Sequence, residues 1–224
     1  MKKGGGADAL HTFADADLRR RALTHASAGD EHNERLEWLG DALGDFLAAD
    51  LLFARHPNLA EGPLTLARSF LVGDKNLASL ARAIGLPRRL ILSPAEERDG
   101  GRERDSILAG AMEAYMAAIY LDGGMDAARR AAKMLFADSL AEADSRIRRG
   151  ALKDDKTRLQ EYLQKRGRPP PQYEVFERGK IAHRPYCIAE CRAENAAAVA
   201  VAENRRAAEQ LAAGGVLASL SAEK

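Results

Sequence analysis

The sequence predicts an all-α body followed by a small α+β module of order α-β-β-β-α. Two observations carry this. Apolar residues recur at helical spacing almost without interruption between residues 15 and 140, as in Leu36, Leu39, Leu43, Leu47 and Leu51, a stripe that a helix turns to one side. After residue 154 the pattern changes to alternating segments, QYEVFER, PYCIAECRA and AAAVAVA, between two helical stretches. A period of two is the mark of half-buried strands.

In chain order, residues 1–9 (MKKGGGADA) carry two lysines but neither a hydrophobic segment nor a cleavage pattern. They read as a flexible start and not as a secretory signal. The helical body is expected over 10–143, with breaks at Pro57, Gly62, Gly85 to Pro87, Pro94 and Gly100–Gly101, where glycine and proline punctuate the periodicity. A helix from Ser106 carries Ile107, Met112, Tyr115, Met116 and Ile119 to about Leu121, and Asp122–Gly123–Gly124 ends it. A further helix is expected from Met125 to Ala143. Residues 144–153 are highly charged and lack an apolar face, so they are read as a linker. The module at 154–222 opens with the helix TRLQEYLQKR, turns at the prolines 169–171, and closes with a helix from about Asn204 to Ala213. A small antiparallel sheet with both helices on one face is the compact arrangement.

Composition limits the function classes. Hydrophobic residues make up 46% and charged residues 30%, and no apolar run approaches the ~18 residues that cross a bilayer, so a soluble protein is expected. Cys187 and Cys191 are too few for a disulfide framework or a four-ligand zinc site, which implies a reduced, cytoplasmic setting. Lying four apart in a strand-like run, they share one face and read as small buried residues. From Lys153 onward the chain has 13 Lys and Arg against 10 Asp and Glu, and the front has 21 against 23. That division is compatible with an RNA-binding tail on a metal-binding body.

The chemistry centres on HNERLEWLGDAL, residues 32–43. Glu34, Glu37 and Asp41 stand at i, i+3 and i+7, which places three carboxylates along one side of a helix. Leu36, Leu39 and Leu43 face elsewhere, while Gly40 and Ala42 permit a second helix to approach closely. Clustered hard oxygen donors suit magnesium, which keeps several waters and takes one or a few carboxylates. A solvated acidic face has the same spacing, and the spacing alone leaves both open.

The longer strings are more specific. NERLEWLGDAL resembles the signature of the ribonuclease III family, and RRRALTHAS (19–27), EGPLTLARSFLV (61–72), DGGRERDSILAG (99–110) and EAYMAAIYLDGG (113–124) follow the family's order. The tail, opening with DDKTRLQEYLQKRG, resembles a double-stranded RNA-binding domain. The resemblance implies an all-helical, homodimeric endonuclease domain and a magnesium-dependent endoribonuclease, with manganese as a substitute. It would cleave double-stranded RNA, including ribosomal RNA precursors and structured messages. It implies Glu37, Asp41 and Glu113 as metal ligands, and Glu34 as a further acid that joins Asp41 and Glu113 in catalysis. Glu61 is implied as auxiliary, and Trp38 as an aromatic that inserts into the other subunit. His25 is read as structural.

The second acidic motif departs from the family's pattern. An aspartate is expected three residues before Glu113, and Gly110 stands there. Glycine inside a helix costs about 1 kcal/mol relative to alanine, so helix stability gives no reason for it. Asp105 lies well off the face shared by positions 110 and 113, and Asp45, four residues after Asp41, lies one turn farther along its helix, so neither is a convincing replacement. Two readings remain: a nuclease that works with the remaining carboxylates, and a duplex-RNA-binding protein with impaired or absent cleavage.

In the tail, the resemblance implies minor-groove contacts from Gln160 and His183 and phosphate contacts from Arg205 and Arg206, at the start of the last helix. The segment AVAVAEN replaces the glycines and small polar residue usual before that helix, and a third basic position is Ala207. Weaker binding with a flatter salt dependence is expected.

Overall fold

Local chemistry sets many of the helix ends in the computed structural model, which describes residues 6–149, 152–181 and 184–222. Helix α1 (Ala7–Leu10) is followed by α2 (Ala16–Ala22), where the Asp15 side chain accepts from the Leu18 amide and caps the first turn. Then come α3 (Glu34–Arg55), α4 (Glu61–Val72), α5 (Asp74–Ala83) and α6 (Pro94–Arg98), the last capped by Ser93 with proline in its first turn. Helix α7 (Asp105–Leu135) is the central element, packed against α3 and α5. Its residues 108–112 and 114–119 are all buried, and Leu108, Met112, Tyr115 and Ile119 form core with Leu47, Leu52, Leu71 and Leu86. No helix among the described residues is long and apolar enough to cross a membrane.

Several boundaries differ from expectation for identifiable reasons. The flexible start expected over residues 1–9 does not extend to Ala7. The Ala7 amide donates to the Ile84 carbonyl, its own carbonyl accepts from the Tyr115 hydroxyl, and Asp8 pairs with Arg19 and Arg89. The helix end expected at Asp122–Gly124, by contrast, is present: Gly124 adopts the non-helical φ 72° and ψ −177°, so α7 is two helices joined across a kink there. The following helix breaks at the fully buried Phe136, and α8 (Ala137–Arg148) starts beyond it. Helix α8 also takes up residues 144–148 of the expected linker. Asp144 is gripped by Arg55 and His56, and Arg146 pairs with Glu142 while lying 4.1 Å above the Phe70 ring. Charge in this stretch is spent on helix packing.

The chain divides into two compact units between Arg148 and Arg149. In the second, α9 (Asp155–Gln164) precedes an antiparallel sheet of order β1 (Gln172–Ile181), β2 (Arg184–Ala193), β3 (Ala196–Ala202), and α10 (Arg205–Ala222) follows. Leu159, Leu163, Cys191, Ala212, Ala213 and Val216 form one core cluster, while Cys187 packs with Ala189 and Ala208. A bulge between Val175 and Glu177 leaves Phe176 exposed. Helix α10 runs well past the expected end at Ala213. A Cβ on Gly214 would stand 2.8 Å from the Asp155 carboxylate and one on Gly215 2.8 Å from the Ala198 methyl. This glycine pair admits close packing inside a helix and does not terminate it.

Candidate active site

The crossing of α3 and α7 is built on two glycines. A Cβ at position 40 would collide with the Glu113 carbonyl and lie 2.9 Å from its Cα, so only glycine lets the helices approach there. At position 110 a Cβ would lie 2.6 Å and 2.8 Å from the Glu37 carboxylate oxygens. Each helix thus presents a glycine to an acidic residue of the other. The crossing brings Glu37 and Asp41 of α3 to Glu113 of α7.

The electrostatics of this crossing are unfavourable as it stands. Burial, then the charge of Glu34, hold the Glu37 carboxyl above its usual range, with His25 opposing them. Burial pushes the Glu113 carboxyl up to about 7, with further contributions from Asp41, Glu37 and Asp74. Among the described residues, Glu37, Asp41 and Glu113 have no hydrogen-bonded or ion-paired side-chain partner. As placed, no group of three or more His, Cys, Asp or Glu among the described residues is close enough together to hold an ion. The donor chemistry nevertheless fits a hard divalent cation: carboxylate oxygens, no ion-paired cation among the described residues, and repulsion that such a charge would relieve. An ion that keeps several waters needs only one or two of these carboxylates directly.

Of the other residues singled out in the sequence, Glu34 opens α3, exposed, and lies close enough to act on Glu37. Glu61 is not among the acids acting on Glu113. It opens α4, accepts from the Thr65 hydroxyl at 2.9 Å, and lines an apolar cleft with Phe46, Phe53, Leu59 and Leu64. Trp38 is 78% exposed, which excludes a role in the core of the protomer. His25 accepts from the Ser27 amide and caps a short turn. Asp45 pairs with Arg68, and Asp105 with Arg82 at 2.7 Å, so both are engaged away from the acidic crossing. Asp74 is the acid that sequence reasoning missed. It starts α5, has no periodic relation to the other acids, and comes near Glu113 only because α5 packs on α7.

In the second unit Gln160 is exposed on α9, and His183 lies outside the described residues. Asn204, in the segment read as lacking a small polar residue, caps α10 by accepting from the Ala207 amide at 3.0 Å. Arg205 and Arg206 differ in their bonding. Arg205 is held at 2.6 Å by Glu209, a buried carboxylate that also binds Lys156 at 2.8 Å, and both cations keep the Glu209 carboxyl low against its burial. Arg206 has no ion-pair partner among the described residues.

Comparison with known proteins gives the same two-part division. Residues 15–140 match the description Ribonuclease-III-like, and residues 156–220 match Double-stranded RNA binding motif. The protein named Ribonuclease 3 from Nitrosococcus oceani is 44% identical over 95% of this chain and 92% of its own length. That from Xanthomonas oryzae pv. oryzae is 45% identical over 94% and 92%. The nuclease domain of ribonuclease III from Campylobacter jejuni, solved in a study of flexibility in its dimer-forming region, covers 60% of this chain and 95% of its own. It superposes with a TM-score of 0.58 at 38% identity. An acidic crossing of two helices in an all-helical unit, a following α-β-β-β-α unit and relatives matched over nearly their whole length agree: the chain belongs to the ribonuclease III family.

Proposed function

We propose that this chain is a homodimeric, divalent-metal-dependent endoribonuclease that hydrolyses double-stranded RNA, acting in the cytoplasm on ribosomal RNA precursors and structured messages. The observation that carries this reading is the mutual repulsion of Glu113 with Asp41 and Glu37, none of them in an ion pair among the described residues, in a family whose curated members are named ribonucleases. These three residues would hold Mg2+, or Mn2+ in its place, and Glu34 adds negative charge beside them. A divalent ion supplies an acidified water and charge stabilisation on phosphate oxygens. With its carboxyl near 7, Glu113 keeps a proton over part of the neutral range, and ion uptake must displace it. Affinity therefore rises with pH up to about 7.

Exposed aromatic residues support the dimer. Trp38, Phe46 and Phe53 lie along α3 at spacings of eight and seven, with exposures of 78%, 48% and 73%. This places them on one side of the helix. Uncovered apolar area of this kind marks an interface, and a second copy of the chain is the occupant proposed, with Trp38 inserting into it. Glu61 borders the same surface through the cleft it shares with Phe46 and Phe53, where it serves as an auxiliary acid. Two sites in the dimer would each cut one strand and leave 5′-phosphate ends.

In the RNA-binding unit, Gln160 and His183 are assigned to successive minor grooves and Arg206 to phosphate, with Arg205 a weaker contributor because Glu209 already holds it. The test is incubation of the purified protein with long duplex RNA and Mg2+, beside Glu113→Gln. Cleavage by the natural protein but not by the variant, with RNA binding kept in both, is the expected result. RNA binding without cleavage by the natural protein at any Mg2+ or Mn2+ concentration would establish the second reading, which Gly110 favours: a duplex-RNA-binding protein of the same fold.

A further inference from the structure

Helix α9 has a second accessible side that contact of Gln160 with a duplex does not use. Tyr162 lies about 200° around the helix from Gln160, so a duplex against Gln160 meets the opposite side. Between Tyr162 and the last turns of α10 lies a groove of about 440 Å3, lined by Lys153, Arg158, Glu161, Lys165 and Arg166, with Leu217 and Ser221 of α10. Four of these side chains are cationic and one is anionic. Lys153 is committed to Glu161, and Arg158 to Asp155 at 2.7 Å. Lys165 and Arg166 are exposed and make no ion pair among the described residues. The dipole at the end of α9 attracts a cation and accounts for Lys165 at its cap. It does not account for the seat of Arg166, whose guanidinium lies 3.7 Å above the Tyr162 ring. That ring is fixed in turn, because its hydroxyl donates to the Leu220 carbonyl at 2.7 Å. Arg166 itself makes one long hydrogen bond, at 3.4 Å to the Tyr162 carbonyl. The stack therefore holds a planar, charged group in place with most of its donors unused.

We propose that this groove binds single-stranded RNA flanking a duplex, with Lys165 and Arg166 on its phosphates and the Tyr162–Arg166 stack as the platform for a base. Surfaces that take unpaired strands combine a basic groove along the backbone with aromatic rings or arginine planes on which bases stack, and both parts are present here. The excess of positive charge suits a polyanion, and an open groove of this size suits one strand and not a duplex. Its place on the unit fits the same ligand. Leu217 and Ser221 belong to the end of α10 and Arg206 to its start, and the 15 residues from 206 to 221 span about 22 Å at 1.5 Å each. A strand that leaves a duplex held at Gln160 and Arg206 reaches the groove without displacing either contact. The proposal rests on reading the second unit as an RNA-binding unit, and adds a class of RNA that the duplex contacts do not select.

The test uses the full-length protein in EDTA, so that no RNA is cut, and measures fluorescence anisotropy with three labelled RNAs: a blunt duplex, the same duplex with a single-stranded extension of about ten nucleotides, and the extension alone. The natural protein is expected to bind the extended duplex about tenfold more tightly than the blunt one, with a salt slope steeper by about 1.4, the value for two single-strand phosphate contacts. In Lys165→Gln/Arg166→Gln both increments should vanish while blunt-duplex affinity stays, which also shows that the unit is folded. Arg166→Lys keeps the charge and loses the planar stack, so it should keep the slope and lose part of the affinity gain. No gain from the extension in the natural protein, the result an acidic protein partner at this groove would give, overturns the proposal. So does a gain that persists in the double variant, or an equal loss on blunt and extended duplexes, which would make the groove part of the duplex surface. If the natural protein binds no duplex, the reading of the unit as a duplex binder falls, and the extension alone decides the groove: binding that the double variant loses supports it, and no binding refutes it.

Discussion

Replacing Glu113 with glutamine keeps the shape of a half-buried side chain and removes a charge that the protein tolerates poorly. The ionised form is disfavoured by burial and by Asp41, Glu37 and Asp74, which raise the carboxyl from 4.5 to about 7. Below pH 4.5 the group is protonated whether the chain is folded or unfolded, and it contributes nothing. Between 4.5 and 7 the unfolded chain releases the proton while the folded chain keeps it, so stability falls as pH rises, and above 7 the penalty is complete. The interval spans ~2.5 pH units at ~1.4 kcal/mol each, a ceiling of about 3 kcal/mol. Contact with solvent screens part of this and leaves roughly 1–2 kcal/mol. For a helical unit of this size that corresponds to a rise in melting temperature of roughly 3–6 °C. Calorimetry in EDTA should show Glu113→Gln melting above the natural protein at pH 8, with the gap closing near pH 4. A variant that melts at or below the natural protein at pH 8, or a gap that does not vary with pH, would refute the electrostatic account of the site.

Further outcomes follow from particular contacts. Gly40→Ala drives a methyl group into the Glu113 backbone and should destabilise the helical unit by about 3 kcal/mol, measured by denaturant titration; a neutral effect would mean that the helices separate easily. Trp38→Ala should shift the protein from dimer to monomer in sedimentation at micromolar concentration, since this 78% exposed side chain has no role in the protomer's own core. Arg206→Ala should lower duplex-RNA affinity and reduce the salt slope by about one. Arg205→Ala should change the slope less, because its guanidinium is already committed to Glu209; equal slopes in the two variants would contradict this division.

Much of this was legible without coordinates. Period-3.6 and period-2 patterning separates the helical unit from the α-β-β-β-α unit, because burial of one face of each element imposes that period on the sequence itself. The three acids of α3 and the place of Glu113 were readable from local spacing and from the family signature. Element ends were less legible. The glycines at 214 and 215 look like a helix stop but serve the contacts of α10 with Asp155 and Ala198. The charged residues after Ala143 look like a linker but are paired to the end of α3 and within α8.

What the sequence by itself determined is the identity and order of the acids, the two units and the absence of an aspartate at 110. All of these are properties of chain order and local periodicity. Only the tertiary structure shows that the Glu37 carboxylate lies where a side chain at 110 would begin. That depends on what the facing helix sends across, and Glu37 lies 73 positions away along the chain. Asp74 reaches Glu113 for the same reason, through the packing of α5 on α7. Electrostatic repulsion and steric exclusion act through space, so they become readable once the helices are placed together.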